Sequence, residues 1–170
     1  MAILPIRIYG DPVLRKQAKK ITKVDEDIRK LAFEMLKTLK EAKGIGLSAN
    51  QVGEEKRLFV VDRSICSTSP EENSPLIVIN PVLIASHGEQ TSEEGCLSIP
   101  GTYADVTRQL EVLVKGMDLD EKEIEIEAKG LLSRVLLHEI DHLNGLLFVD
   151  HLSSIRRRLL AKKLKKLSTR

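Results

Sequence analysis

Leu131-Leu132-Ser133-Arg134-Val135-Leu136-Leu137-His138-Glu139-Ile140-Asp141-His142-Leu143 reads as one α-helix with a chemical face. Helical spacing puts Leu131, Val135, His138 and His142 on one side, so the two imidazoles lie one turn apart. Two ring nitrogens held in that way suit convergence on a metal ion, and a glutamate beside the first histidine is the usual general acid/base of metal-assisted hydrolysis. The apolar members of the face, Leu131 and Val135, then line whatever pocket the metal faces.

Two histidines leave the coordination incomplete. A metzincin would carry a third histidine downstream; this chain keeps the glycine of that pattern, Gly145, but has Phe148 at the ligand position. No glutamate follows His142, so the helix-borne carboxylate of other zincins is missing too. Asp150 and His151 remain open as ligands, beyond the apolar run Leu146-Leu147-Phe148-Val149. Upstream, Glu94-Gly95-Cys96-Leu97-Ser98 offers the better candidate. A Cys96 thiolate binds borderline and soft divalent metals strongly, and Gly95 lets the backbone approach closely.

Around this helix the pattern predicts an α+β fold of mostly antiparallel strands, with N-terminal helices and a basic C-terminal helix. Asp11-Pro12 opens a short helix towards Ala18, and Asp25 caps a longer one with Ile28, Leu31, Ala32, Met35 and Leu39 at helical spacing. Gly44 closes it as a C-cap. Strands are expected at Arg57–Asp62, Leu76–Asn80, Val82–Ser86, Tyr103–Lys115 (broken by turn residues) and Glu123–Ala128. Ser64 to Ser74 is polar and reads as an exposed loop. Ser153 caps a last helix whose Ile155, Leu159, Leu160, Leu164 and Leu167 form a stripe opposite its basic residues. No linker or repeat divides the 170 residues, so residues 1–170 are expected to form a single catalytic domain.

Composition narrows the setting. Eight of the 27 Lys and Arg lie between Ser153 and Arg170 and none of the 25 acids does, leaving a body with 19 bases and 25 acids, net −6. A basic tail on an acidic body suggests a polyanionic neighbour, nucleic acid first. Nothing approaches the apolar length of a membrane span, and the start lacks the pattern of a signal peptide. Two cysteines, Cys66 and Cys96, argue against a disulfide scaffold and fit a reducing, cytoplasmic setting.

Three segments in order, Gly44-Ile45-Gly46-Leu47-Ser48-Ala49-Asn50-Gln51, Glu94-Gly95-Cys96-Leu97-Ser98 and His138-Glu139-Ile140-Asp141-His142, resemble the three motifs of the bacterial peptide deformylases. The likeness runs from Asp11-Pro12-Val13-Leu14-Arg15 to Leu147-Phe148-Val149-Asp150, with Ser48 standing where alanine is commoner. It implies an enzyme that removes the formyl group from the N-terminal formyl-methionine of nascent polypeptides. It implies Cys96, His138 and His142 as ligands of one divalent metal ion, Fe²⁺ as the working ion, with Zn²⁺, Ni²⁺ or Co²⁺ able to substitute. By the same resemblance Glu139 is the general acid/base, and Gln51 and the backbone N–H of Leu97 face the oxyanion. Ile45, Gly46, Glu94 and Gly95 hold the peptide as an added strand, and Leu131 and Val135 share in a methionine pocket. The basic tail becomes a candidate ribosome or rRNA contact, since such substrates emerge from the ribosome.

Overall fold

The computed structural model describes residues 2–66 and 74–169. Three α-helices, α1 (Glu26–Glu41), α2 (Leu131–Leu143) and α3 (Ser154–Ser168), accompany five strands: β1 (Gly46–Ser48), β2 (Leu58–Val61), β3 (Leu76–Cys96), β4 (Ile99–Met117) and β5 (Glu123–Lys129). The strands form one sheet in chain order, every neighbouring pair antiparallel. This is the expected α+β architecture around a central helix.

Strand β2 shows why the layers stack as they do. All four of its residues are buried, because alternate side chains feed different cores. Phe59 and Val61 pack under α2 with Val78, Val114, Leu136 and Leu143. Leu58 and Val60 point the other way, into the cluster of α1 with Met35 and Leu39. A third cluster joins Leu14, Ile99, Val106 and Phe148 to Leu164 and Leu167 of α3. The catalytic-looking helix is therefore buried almost all round, which explains why its sequence carries so few exposed polar positions.

Several local expectations are corrected. Asp11 does cap, accepting from Val13 N at 3.0 Å, but Pro12–Arg15 forms only a 3-10 turn that ends at Lys16. At the end of α1 the left-handed residue is Lys43 (φ 53°), not Gly44. Gly44 is required for space: a Cβ there would lie 2.8 Å from Leu97 Cδ1. The separate strands expected from Leu76 to Ser86 belong to one 21-residue strand that runs on to Cys96 and pairs with β4 through three register shifts. Exposed residues from Val82 to Glu89 give it no clean alternation, and the shifts break what period remains. On α3, Leu164 and Leu167 are buried and Leu160 is half-buried, while Ile155 and Leu159 stand 69% and 79% exposed. The expected stripe docks by its C-terminal half only. Of the polar 64–74 loop, residues 67–73 lie outside the described residues; Arg63–Ile65 forms a 3-10 turn.

Candidate metal centre and active-site cleft

Cys96 ends β3, and His138 and His142 project from α2, so sheet and helix contribute to one cluster. Their ligand atoms all lie within 4.8 Å of one another. His142 Nε2 is 3.2 Å from Cys96 Sγ and 3.1 Å from His138 Nε2. Tetrahedral ligands at zinc-like bond lengths keep about 3.3 Å between nitrogens and about 3.6 Å between sulfur and nitrogen, so the two separations made by His142 are already close to coordinating distances. Burial opposes charge on both rings. On His138 the hydrogen bonds to Cys96 and Glu94 override it and raise the pKa; on His142 burial prevails and lowers it. Three ligand atoms crowded together in this way fit a cation held between them. The donor set, one half-buried sulfur and two buried imidazoles, suits a divalent transition ion.

Glu94, expected at the peptide strand, turns its side chain inward. Oε1 meets His138 Nδ1 at 2.5 Å, Arg108 binds it in bidentate fashion, and Arg134 Nη1 donates to Oε2 at 2.7 Å. Burial alone would raise its pKa, but the Arg108 and His138 hydrogen bonds hold the carboxyl well below the usual range. An ionised Glu94 fixes the Nδ1–H tautomer of His138 and aims Nε2 at the cluster. Sequence reading missed Arg108 and Arg134. Two signals existed: Arg108 shares the inward face of β4 with Val106, and Arg134 lies one turn before His138.

Phe148, where a metzincin would have its third histidine, is buried and stacks near His138 with ring centres 6.5 Å apart. Asp150 is held by Arg15, and His151 by Asp141; neither belongs to the metal cluster.

Glu139 is 2% exposed, and its Oε2 has no hydrogen-bond partner among the described residues. Burial pushes its pKa up to about 7 against the pull of His138. The carboxylate is packed on Gly46, where an added Cβ would lie 2.5 Å from Oε1. Ser48, two residues along β1 on the same side, lowers the Glu139 pKa by its hydroxyl. That hydroxyl also lies 3.1 Å from Gln51 Oε1, and Ser48 N donates to the same oxygen at 3.0 Å. With its oxygen so fixed, Gln51 directs Nε2 to Ser98 Oγ (3.2 Å) and Cys96 Sγ (3.4 Å).

These groups open into a cleft of about 340 Å³. Ile45, Gly46, Gln51, Glu94, Gly95, Cys96, Leu97, Leu131, Val135, His138 and Glu139 all line it. His142 alone of the expected residues lies behind the wall, 1% exposed. Leu97 starts the two-residue turn between β3 and β4. Tyr103 rims the cleft, 62% exposed, with its ring against Gly95. Among the described residues strand β1 pairs only with β2, and Glu93, Glu94 and Gly95 pair only with β4, so two open backbone edges border the cleft.

A buried helix bearing H-E-x-x-H, with a cysteine from a strand end and an open cleft beside a carboxylate, defines a metal-dependent hydrolase. The comparisons carry this to a family. Residues 3–158 match the family model described as polypeptide deformylase, and the chain belongs to that family. A peptide deformylase of Thermodesulfovibrio yellowstonii is 53% identical over 167 residues, covering 97% of this chain and 98% of that protein. Among solved structures, a peptide deformylase from Legionella pneumophila superposes with a TM-score of 0.88 at 42% identity, covering 96% of this chain and 94% of that one. One from Ehrlichia chaffeensis in complex with actinonin gives 0.89 at 36% identity, with 98% of both chains covered. The chain is a deformylase, an enzyme that removes the N-formyl group from polypeptides.

Proposed function

We propose that this enzyme hydrolyses the formamide of N-terminal formyl-methionine on nascent chains, with Glu139 as general acid/base and Cys96, His138 and His142 as ligands of Fe²⁺. A bound divalent ion would supply Lewis acidity, polarising the formyl carbonyl and acidifying water at neutral pH. The chain's own groups do the rest. Glu139 takes a proton from water as its oxygen bonds to the formyl carbon. The carbonyl oxygen gains negative charge and accepts hydrogen bonds from Gln51 Nε2 and the Leu97 N–H. Glu139 then gives the proton to the amine nitrogen as the C–N bond breaks, leaving formate and a free N-terminus. The single observation that carries the reading is the buried Glu139 carboxylate, raised to about 7 and set beside the three-ligand cluster.

Substrate placement follows from the edges of the cleft. The peptide main chain adds as a strand between Ile45-Gly46 and Glu94-Gly95, and the methionine side chain packs towards Leu131 and Val135. Residues 1–170 act as one catalytic domain. Among the described residues no helix is long and apolar enough to cross a membrane, and we assign the enzyme to the cytoplasm beside the ribosome. The exposed basic face of α3, including Arg157, Arg158 and Lys162, is the proposed rRNA contact. Because Leu164 and Leu167 belong to the core, charge reversal tests this better than truncation. Converting those three residues to glutamate should weaken ribosome binding and flatten its salt dependence, while turnover of short formyl peptides persists; unchanged binding would end that assignment.

The central test combines metal analysis with formate release from formyl-Met-Ala-Ser. Wild type should carry one ion per chain and release formate, and Glu139→Gln should keep the ion and lose turnover. A Glu139→Gln enzyme of normal activity overturns the general-base assignment. Activity that decays in air and survives nickel or cobalt exchange supports iron; air-stable activity in an iron-only preparation refutes it.

A further inference from the structure

His151, left over from the ligand search, ends the 3-10 turn Phe148–His151 and does not line the cleft. Its Nε2 lies 2.7 Å from Asp141 Oδ2. The same oxygen accepts from Arg108 Nη1 at 2.7 Å. Arg108 turns its other donors to Glu94, Nη2 to Oε1 at 2.7 Å and Nε to Oε2 at 2.9 Å. Glu94 Oε1 in turn meets His138 Nδ1 at 2.5 Å. Four links thus join a surface histidine to a proposed metal ligand. Side-chain exposure falls along the way, from 35% at His151 and 17% at Asp141 to 4% at Arg108 and 6% at Glu94.

The chain has a fixed direction. Arg108 can only donate, so Asp141 Oδ2 accepts from it and meets His151 Nε2 as a second partner. A hydrogen on His151 Nε2 completes that contact. Arg108 is a planar fork that serves two carboxylates at once, and rotation of Asp141 would tilt that plane away from Glu94. Of the five side chains, only His151 is more than a fifth exposed.

We propose that His151 is a positioning residue for the metal centre: by fixing Asp141 it fixes the plane of Arg108, and through Glu94 the ring orientation of His138. The inference rests on His138 being a ligand, as in the proposed function. Partners directly behind metal-binding histidines typically change affinity by about 10–100-fold when removed, and His151 acts from further out. Loss of its donor should therefore speed metal release by about 3- to 10-fold, below that range.

The test uses the full-length, cobalt-loaded enzyme, read by its visible ligand-field bands and by the rate of cobalt transfer to a chelator. His151→Leu should shift the bands and accelerate release, whereas His151→Gln, which keeps an amide donor at similar reach, should restore both. Asp141→Asn should act in the same direction, and the double variant with His151→Leu should release no faster than Asp141→Asn alone. Wild-type bands and release in His151→Leu overturn the proposal, even if its Tm falls. So does an additive double variant, or a His151→Gln protein that behaves like His151→Leu. Should His151→Leu fail to fold, Asp141→Asn and His151→Gln still decide it. His138→Ala separates the two readings: full cobalt retention there would refute the ligand assignment itself.

Discussion

Replacing Gly46 by alanine would place a methyl carbon 2.5 Å from Glu139 Oε1, 2.9 Å from Cδ and 3.0 Å from Cγ. Ordinary contact starts at 3.4 Å, so the carboxylate would have to retreat by about 0.9 Å. On a surface that would be cheap, since the end of a glutamate is flexible. Here Glu139 is 2% exposed, with His138, Ser48 and the wall of α2 around it, and the displacement falls on the group assigned the proton transfers. Gly46 is not in the left-handed region, so the substitution probes space alone. A misplacement near 1 Å costs about 10²-fold in rate, or about 2.7 kcal/mol in the barrier. Formate release from formyl-Met-Ala-Ser by the Gly46→Ala enzyme should fall by that factor, with metal content unchanged and about 1–3 kcal/mol lost in urea unfolding. Gly95→Ala is the comparison: its methyl meets the Tyr103 ring at 2.6 Å, but that ring is 62% exposed and can swing away, so stability should change little. A Gly46→Ala enzyme with more than about a third of wild-type turnover would refute the argument from displacement.

Four further outcomes are expected. Gln51→Leu removes a proposed oxyanion donor and should lower kcat by about 10²–10³-fold with the ion retained; unchanged turnover removes Gln51 from that role. Glu94→Gln leaves Arg108 and Arg134 short of a buried carboxylate, so urea unfolding should show a loss of about 3–5 kcal/mol and cobalt should bind about 10–100-fold more weakly. Glu94 and Asp141 both titrate below their unfolded values, so the unfolded chain takes up protons first on acidification. Their stabilisation is complete above the ordinary carboxyl values of 4.5 and 3.8 and is lost as pH falls below them; equal urea midpoints at pH 6 and pH 3 would contradict this. Ser48→Ala deletes a hydroxyl that lowers the Glu139 pKa, so the acidic limb of kcat/KM should move to higher pH, by less than about one unit; a shift to lower pH would refute the contact.

The metal cluster was legible because its signals are local. The i, i+4 histidines need only helical geometry, and Cys96 stood out as the better candidate once Phe148 and the absent downstream glutamate removed the familiar protease ligands, with Asp150 and His151 still open. Helix α2 itself was readable to the residue, from Leu131 to Leu143. What escaped was long-range. Nothing in sequence order links Glu94 to Arg108, Arg134 and His138, up to 44 positions away, and a strand glutamate beside a glycine reads as exposed. The long β3–β4 hairpin was hidden for a different reason. Residues 82–89 of β3 are exposed throughout and the pairing shifts register beside them, so hydrophobic period carries little information there. On α3, apolar spacing identified the helix but not its docked portion, which depends on where Leu14 and Phe148 lie.

Ten of the thirteen residues of α2 are in the interior. Most enzymes hang reactive groups on loops, where local opening is easy and tolerated. Here the helix turn assigned the proposed chemistry cannot fray without breaching the core beneath it, so the free energy for loosening the site should approach that for unfolding the whole protein. Amides of residues 136–142 should therefore be among the slowest to exchange with deuterium. Core substitutions far from the cleft will be felt as heat sensitivity of the site, and a more thermostable variant gains a longer-lived active site by the same change.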